Sequence, residues 1–166
     1  MTESWCKLCG MKSRFEPILF EHLRKEHGVG IADVTVSDYI GSEQWNEEAL
    51  QTLWEWHVSH LFHEIVEEYS DAVTVRVVCP LCRKSWGPRT WKYNRFTQTR
   101  ISAWVGSTIA KHFMKEHGFN MEKIAGGLDN SPARYRCKCG RYIDGLTLAV
   151  AHWLNCKKGG FHEQRA

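Results

Sequence analysis

"CKLCGMKSRFEPILFEHLRKEHG", Cys6 to Gly28, decides how this chain folds. Cys6 and Cys9 have two residues between them, the spacing of a tight turn that offers both sulfurs to one side. A spacer of twelve residues leads to His22, and four more residues separate it from His27. That spacer is long enough for a return strand and most of a helix. Pro17 suits the first helical turn, where its missing N–H leaves no hydrogen bond unmade. Residues five apart point roughly 140° apart on an ideal helix. Both imidazoles therefore reach one point only if the helix loosens or ends at the second histidine. Gly28 follows at once, and glycine is the favoured residue just past a helix end.

The phrase recurs. "HLRKEHG" (His22–Gly28) and "HFMKEHG" (His112–Gly118) agree in five of seven letters. Cys79 and Cys82 precede the second copy, with a spacer of 29 residues before His112 and His117. "AVTVRVVC" (72–79) alternates like a strand entering a metal knuckle. "ISAWVGSTIAKHFMKEH" (101–117) sets Ile101, Trp104, Val105, Ile109 and Phe113 at helical spacing, a core-facing stripe. A third set follows: Cys137 and Cys139, a spacer of twelve, then His152 and Cys156. "YRCKCGRYI" reads as a hairpin and "LTLAVAHWLNC" as a helix, on which His152 and Cys156 share a face at i and i+4. All seven cysteines are used in this way, whereas a full disulfide framework would leave one over.

The first set resembles the C2H2 zinc-finger family, whose ligand spacing it matches. The second resembles it with a long insertion. The third is a C2HC variant, departing from the common pattern in its single residue between cysteines and in its final Cys. The resemblance implies three structural zinc ions, held by Cys6, Cys9, His22 and His27, by Cys79, Cys82, His112 and His117, and by Cys137, Cys139, His152 and Cys156. Zinc accepts four such N and S ligands in a tetrahedron, and a site with four protein ligands leaves no position for a catalytic water. No enzyme activity is expected: there is no phosphate loop and no HExxH zinc-protease signature. The expected fold is α+β, three small zinc-organised ββα-like modules packed with an amphipathic acidic helix. The expected divisions are a first module over 1–30, linker and acidic helix over 31–71, a second module over 72–120, and a third module with a tail over 121–166.

The resemblance does not make the chain a DNA reader. Counting the first ligand His of each module as helix position 7, the base-reading positions −1, 3 and 6 are Phe15, Ile18 and Glu21, then Val105, Thr108 and Lys111, then Gly145, Leu148 and Ala151. Base readout favours Arg, Lys, Asn or Gln, and only Lys111 qualifies. The apolar choices read as buried packing faces. The 51 residues between His27 and Cys79 are also far from a short array linker.

Net charge is +3, but its distribution is uneven. From Asp33 to Asp71 there are ten acids and no Lys or Arg, so the rest carries 22 bases against nine acids. "SEQWNEEALQTLWEWHVSHLFHEIVEEY" (Ser42–Tyr69) reads as one amphipathic helix capped by Ser42. Leu50, Leu53, Trp54, His57, Leu61, Ile65 and Tyr69 form its apolar stripe, and Glu47, Glu48, Glu55, Glu64, Glu67 and Glu68 its other faces. It either packs on the zinc modules or docks a protein partner or a second copy. His57, His60 and His63 on it are read as packed or exposed rather than as a fourth metal set.

"RKSWGPRTWKYNRFTQTR" (Arg83–Arg100) holds Arg83, Lys84, Arg89, Lys92, Arg95 and Arg100 with no acid. Trp86, Trp91, Tyr93 and Phe96 lie between them. Bases neutralise phosphate and aromatic faces stack on unpaired nucleobases. Arg83, Lys84, Arg89, Lys92, Arg95 and Arg100 with Trp86, Trp91 and Tyr93 are therefore candidate nucleic-acid contacts, for RNA or single strands above duplex. Two alternatives stand: a hairpin with core aromatics and solvated bases, or a basic loop paired with the chain's own acidic helix.

The hydrophobic share (43%) is ordinary, and no apolar stretch approaches membrane-spanning length. The start, "MTESWCKLCG", has no basic segment followed by an apolar run, so no secretory leader is expected. Reduced cysteines fit the nucleus or cytoplasm, in a cellular or viral protein. The expected function is non-enzymatic nucleic-acid binding, non-specific or structure-selective, with no membrane and no small-molecule substrate. The alternative is a zinc-stabilised protein-interaction or structural module, for example a viral accessory, matrix or assembly protein, with the acidic Trp-rich helix as its interface and zinc in place of a larger core. The tail "CKKGGFHEQRA", including His162, reads as a frayed end without a ligand role.

Overall fold

A computed structural model describes residues 3–126, 133–158, 160 and 161. In chain order the elements are β1 (Ser4–Cys6), β2 (Lys12–Ser13), α1 (Glu16–Glu26), β3 (Ile40–Ser42), α2 (Glu47–Ser59), β4 (His63–Glu68), β5 (Ala72–Val78), β6 (Ser85–Lys92), α3 (Thr97–Glu116), β7 (Glu122–Ala125), β8 (Arg134–Arg136), β9 (Tyr142–Asp144) and α4 (Leu146–Asn155). Short 3₁₀ turns cover Val36–Asp38 and His60–Phe62. The fold is mixed α and β, as expected. The strands form three antiparallel sheets of three, ordered β2-β1-β3, β4-β5-β6 and β7-β8-β9.

One unit is repeated three times. In each sheet the central strand, β1, β5 or β8, leads into the first cysteine of a metal set, and a following strand and helix complete a ββα arrangement. The third strand of each sheet (β3, β4 or β7) is not legible from ligand spacing, since it comes from flanking chain.

The acidic segment is where expectation and structure part. It is not one helix from Ser42 to Tyr69. Ser42 ends β3, and its hydroxyl accepts from the amides of Gln44 and Trp45. The cap of α2 is Asn46, whose Oδ1 accepts from the Ala49 amide at 2.8 Å. At the far end the Ser59 hydroxyl donates to the Trp56 carbonyl at 2.6 Å, and His60 Nδ1 lies 2.8 Å from the same oxygen. Side chains that engage a nearby carbonyl compete with helix propagation. The chain then leaves as β4, whose residues pair with β5 from His63 opposite Val77 to Glu68 opposite Val73. Ile65 and Tyr69, placed on the helical stripe by periodicity, are instead 58% and 53% exposed. The first half of the stripe does pack: Leu50 and Trp54 are buried.

The core runs between α2, α3 and α4. Trp54, Trp153, Phe20, Phe62 and Phe113 are its largest fully buried side chains. Phe20 meets Trp54 edge-on at 5.5 Å, and Phe113 meets Phe62 at 5.8 Å. The expected stripe of α3 is confirmed in Ile101, Val105, Ile109 and Phe113, all buried. Asn155 is a buried polar hub. Its Oδ1 accepts from the Val34 amide and from Trp54 Nε1, and its Nδ2 donates to the Ile31 and Ala151 carbonyls. Every hydrogen-bonding group of that amide is satisfied, which is what keeps its burial from destabilising the fold. No helix among the described residues is long and apolar enough to cross a membrane.

Candidate metal centres

The three Cys/His sets converge. In each, one donor atom from every residue lies within 4.8 Å of the others. The first set has Cys9 Sγ 3.1 Å from His22 Nε2, Cys6 Sγ 3.6 Å from His27 Nε2, and the two Nε2 atoms 3.1 Å apart. The second repeats it: Cys82 to His112 at 3.2 Å, Cys79 to His117 at 3.5 Å, and Nε2 to Nε2 at 3.2 Å. In the third, Cys139 Sγ is 3.4 Å from His152 Nε2 and Cys137 Sγ is 3.6 Å from Cys156 Sγ. Tetrahedral bonds of about 2.0–2.3 Å to N and S imply ligand–ligand edges of roughly 3.3–3.8 Å. The spacings fit such an ion to within a few tenths of an ångström.

Local chemistry explains each convergence. The cysteine knuckle is closed by the same backbone pair three times. Gly10 N donates to Cys6 O, Arg83 N to Cys79 O and Gly140 N to Cys137 O. Cys6 N donates to Met11 O, Cys79 N to Lys84 O and Cys137 N to Arg141 O. The residue after the second cysteine takes positive φ: Gly10 at 83°, Gly140 at 94°, and Arg83 at 65°. Arg83 has a Cβ in that region and is strained by it.

The histidine ends use one device twice. α1 stops at Glu26 and α3 at Glu116, so His27 and His117 are the first residues beyond the helix, with φ/ψ of −114°/1° and −123°/0°. Gly28 and Gly118 then take φ of 65° and 82°. Val29 N returns to Leu23 O, and Phe119 N to Phe113 O. Leaving the helical path turns the second imidazole back towards the first.

The third set has a carboxylate behind it. His152 Nδ1 lies 2.6 Å from Glu55 Oε1, and both side chains are buried. With Nε2 on the ligand side, Nδ1 carries the proton and donates to Glu55, an outer-shell contact that fixes ring orientation. Protonated, this set holds an unequal distribution of charge. The Cys137 S–H and then His152 stabilise a Cys156 thiolate, lowering that thiol to about 3. Hydrogen bonding to Cys156, with burial, pushes the Cys137 thiol well above its usual range. Burial opposes a charge on His152, but Cys156 and Glu55 outweigh it and raise the imidazole to about 10. In the second set burial pushes the Cys79 thiol up to about 11.

One expectation beside these sets is corrected. Phe15 and Ile18 are not a buried packing face but 61% and 49% exposed. The buried face of α1 is Leu19, Phe20 and Leu23, one register away, because the helix docks on α2 through Phe20. Val105 and Ala151 are buried as expected. His57 and His63 join no ligand set among the described residues; His57 pairs instead with Glu21 at 2.8 Å. His162 lies outside the described residues.

The basic insertion is a strand rather than a loop. β6 pairs with β5 from Val78 opposite Ser85 to Ala72 opposite Lys92. Directly opposed residues share a face, so Trp86, Arg89 and Trp91 stand with Val77, Val75 and Val73 towards α3. Trp86 meets the His112 ring at 4.9 Å, Trp91 meets Trp104 at 6.2 Å, and Arg89 lies 4.8 Å over Trp104. The two tryptophans are half-buried. Tyr93 is exposed, and its hydroxyl donates to Glu68 across the sheet. Of the aromatics in this stretch Phe96 is the most exposed, at 48%, with the guanidiniums of Arg95 at 4.8 Å and Arg100 at 5.9 Å over its ring. Of Arg83, Lys84, Arg89, Lys92, Arg95 and Arg100, all exposed, only Lys84 has an acidic partner among the described residues, Glu116 at 3.7 Å.

The chain matches no protein-family model, and no curated protein or solved structure matches it. The three Cys/His clusters are compatible with a zinc-finger-like organisation and able to bind metal.

Proposed function

We propose that this chain is a non-enzymatic zinc protein that binds single-stranded nucleic acid through β6 and the start of α3. Zinc is the reading for the clusters because two-thiolate, two-imidazole and three-thiolate, one-imidazole sets of tetrahedral size suit it. Four protein ligands per ion fit a structural role. The first two sets are C2H2 in type and the third C2HC.

The observation that carries the nucleic-acid reading is the run of exposed cations, Lys84 alone with an acidic partner among the described residues, around the exposed Phe96 ring. Arg89, Lys92, Arg95 and Arg100 supply charge for phosphates. Phe96 and Tyr93 supply rings for unpaired bases, with the half-buried Trp86 and Trp91 behind them. Stacking contributes roughly 1–3 kcal/mol per base and tolerates any sequence. The test is a panel of single-stranded RNA, single-stranded DNA and duplex at two salt concentrations, with wild type and Arg89→Ala/Lys92→Ala. Single strands should bind more tightly, weaken with salt and weaken further in the double variant. Affinity indifferent to both salt and the substitutions would sink the proposal.

A second reading has its own observation. β4 is a sheet edge carrying exposed Ile65 and Val66 beside Glu64, Glu67 and Glu68, with exposed Tyr69 just past its end. An edge strand with open backbone groups is a template for another strand. This would make the acidic segment a protein-interaction surface, as a strand rather than the helix expected from periodicity. Light scattering over a concentration series, with Ile65→Lys, tests it.

A further inference from the structure

Lys111 was the one base-reading position with a suitable side chain, and it lies on a cleft that the β6 surface leaves unexplained. The cleft, about 330 Å³, is lined by Lys84, Trp86, Thr108, Lys111, Lys115 and Glu116, together with His112 of the second set. Thr108, Lys111 and Lys115 lie three and four residues apart on α3, so they share a face. Lys84 comes from the knuckle of the second metal set, and Trp86 forms the wall against the His112 ring at 4.9 Å.

Three ammonium groups face one carboxylate, Glu116, which sits 3.7 Å from Lys84. The cleft therefore carries about two net positive charges. A centre of two thiolates and a divalent ion adds none. A phosphodiester carries one negative charge, whereas a phosphate monoester carries about −1.5 to −2 near pH 7. The charge matches the monoester. Lysine binds phosphate as a point charge from any direction, so three of them around an open cleft accept a group that arrives on a strand end. Trp86 at the wall offers apolar surface for the adjoining nucleotide.

We infer that this cleft seats the terminal phosphate of a single-stranded nucleic acid whose body lies along β6, an inference that rests on the function proposed above. It places one strand end at the second metal centre and gives the bound strand a polarity. Lys111 thus contacts nucleic acid without reading a base.

The test uses the full metal-loaded chain and one short single-stranded oligonucleotide in four forms. Two carry a label at the 3′ end, with 5′-phosphate or 5′-hydroxyl; two carry it at the 5′ end, with 3′-phosphate or 3′-hydroxyl. Affinities are read by fluorescence anisotropy for wild type and Lys111→Gln/Lys115→Gln. Both lysines are exposed and Gln is a good helix former, so metal content should be unchanged. Phosphate at one end should tighten wild-type binding about tenfold or more, the lower end of the scale for one hydrogen bond to a charged group. The gain should vanish in the variant, while hydroxyl-ended strands change by about twofold or less, as expected for well-separated groups. Equal binding of all four forms, or a gain that survives in the variant, overturns the seat and leaves the β6 surface standing. Failure of wild type to bind any form overturns the nucleic-acid reading itself, and the seat with it.

Discussion

Replacing Glu55 with Gln should weaken metal binding at the third centre and leave the other two nearly unchanged. Glu55 comes from α2, 97 residues before His152 in the chain, and its Oε1 lies 2.6 Å from Nδ1. Both side chains are less than a tenth exposed, so neither charge is well screened by water. The carboxylate holds the ring in the tautomer that presents Nε2, and makes that nitrogen a better donor. Gln keeps the volume and one acceptor oxygen but removes the charge. Loss of an outer-shell partner of this kind typically lowers metal affinity about 10–100-fold, which is about 1.4–2.7 kcal/mol. Among the described residues no buried carboxylate hydrogen-bonds an imidazole of the first two sets, so they act as internal controls. The assay is competition with a calibrated chelator, with zinc release followed stepwise. One of three ions should leave earlier in the variant, and Cys156→Ser should remove the same step. If all three ions leave together, or the early step is identical to wild type, the coupling of α2 to the third centre through Glu55 is wrong.

Three further outcomes follow from the same geometry. Metal binding at the third set displaces protons from His152, raised to about 10, and from Cys137, raised above its usual range; affinity should therefore rise with pH and fall on acidification, measured by chelator competition across pH 6–8 as about that interval, and a flat profile would contradict it. Arg83→Gly relieves a Cβ at φ 65°, worth about 1–2 kcal/mol less the 0.5–1 kcal/mol or so that glycine loses in entropy, so the metal-loaded protein should melt slightly higher, and a lower Tm by calorimetry would refute the strain. Asn155→Leu leaves the Val34 amide, Trp54 Nε1 and Ile31 carbonyl without their buried partner, a loss of at least about 3 kcal/mol on a scale of about 1–3 kcal/mol per buried group; urea unfolding at fixed metal content should show it, and a change under about 1 kcal/mol would remove Asn155 as the hub.

The metal sets were legible in the sequence because their geometry is local. A cysteine knuckle, a glycine after the second histidine and a helical i, i+4 pair are written within a few residues of one another, and their backbone hydrogen bonds close over those same residues. The core stripe of α3 was legible for a similar reason, since periodicity records which face of one helix is apolar. The segment from Ser42 to Tyr69 was not. Its 3.6-residue stripe is real as far as Val58, but beyond His60 the competing pattern of strand residues wins because β5 is there to pair with it. That pairing is a hairpin turning over residues 69–71, a signal that helical periodicity followed from Ser42 to Tyr69 does not weigh.

Exposure was likewise decided by tertiary packing. Phe15 and Ile18 look like core residues in isolation, yet α1 docks through Leu19, Phe20 and Leu23, and the first pair is left facing water. Trp86 and Trp91 look like free stacking faces, yet their register on β5 turns both towards α3. Glu55 carries no motif, and only the approach of α2 to α4 brings it to His152. Ligand identity and spacing were thus set by sequence alone, because a tetrahedron of short bonds constrains near neighbours. The surface those sites present was set by the tertiary structure, because which side of a strand or helix meets water depends on what the rest of the chain packs against it.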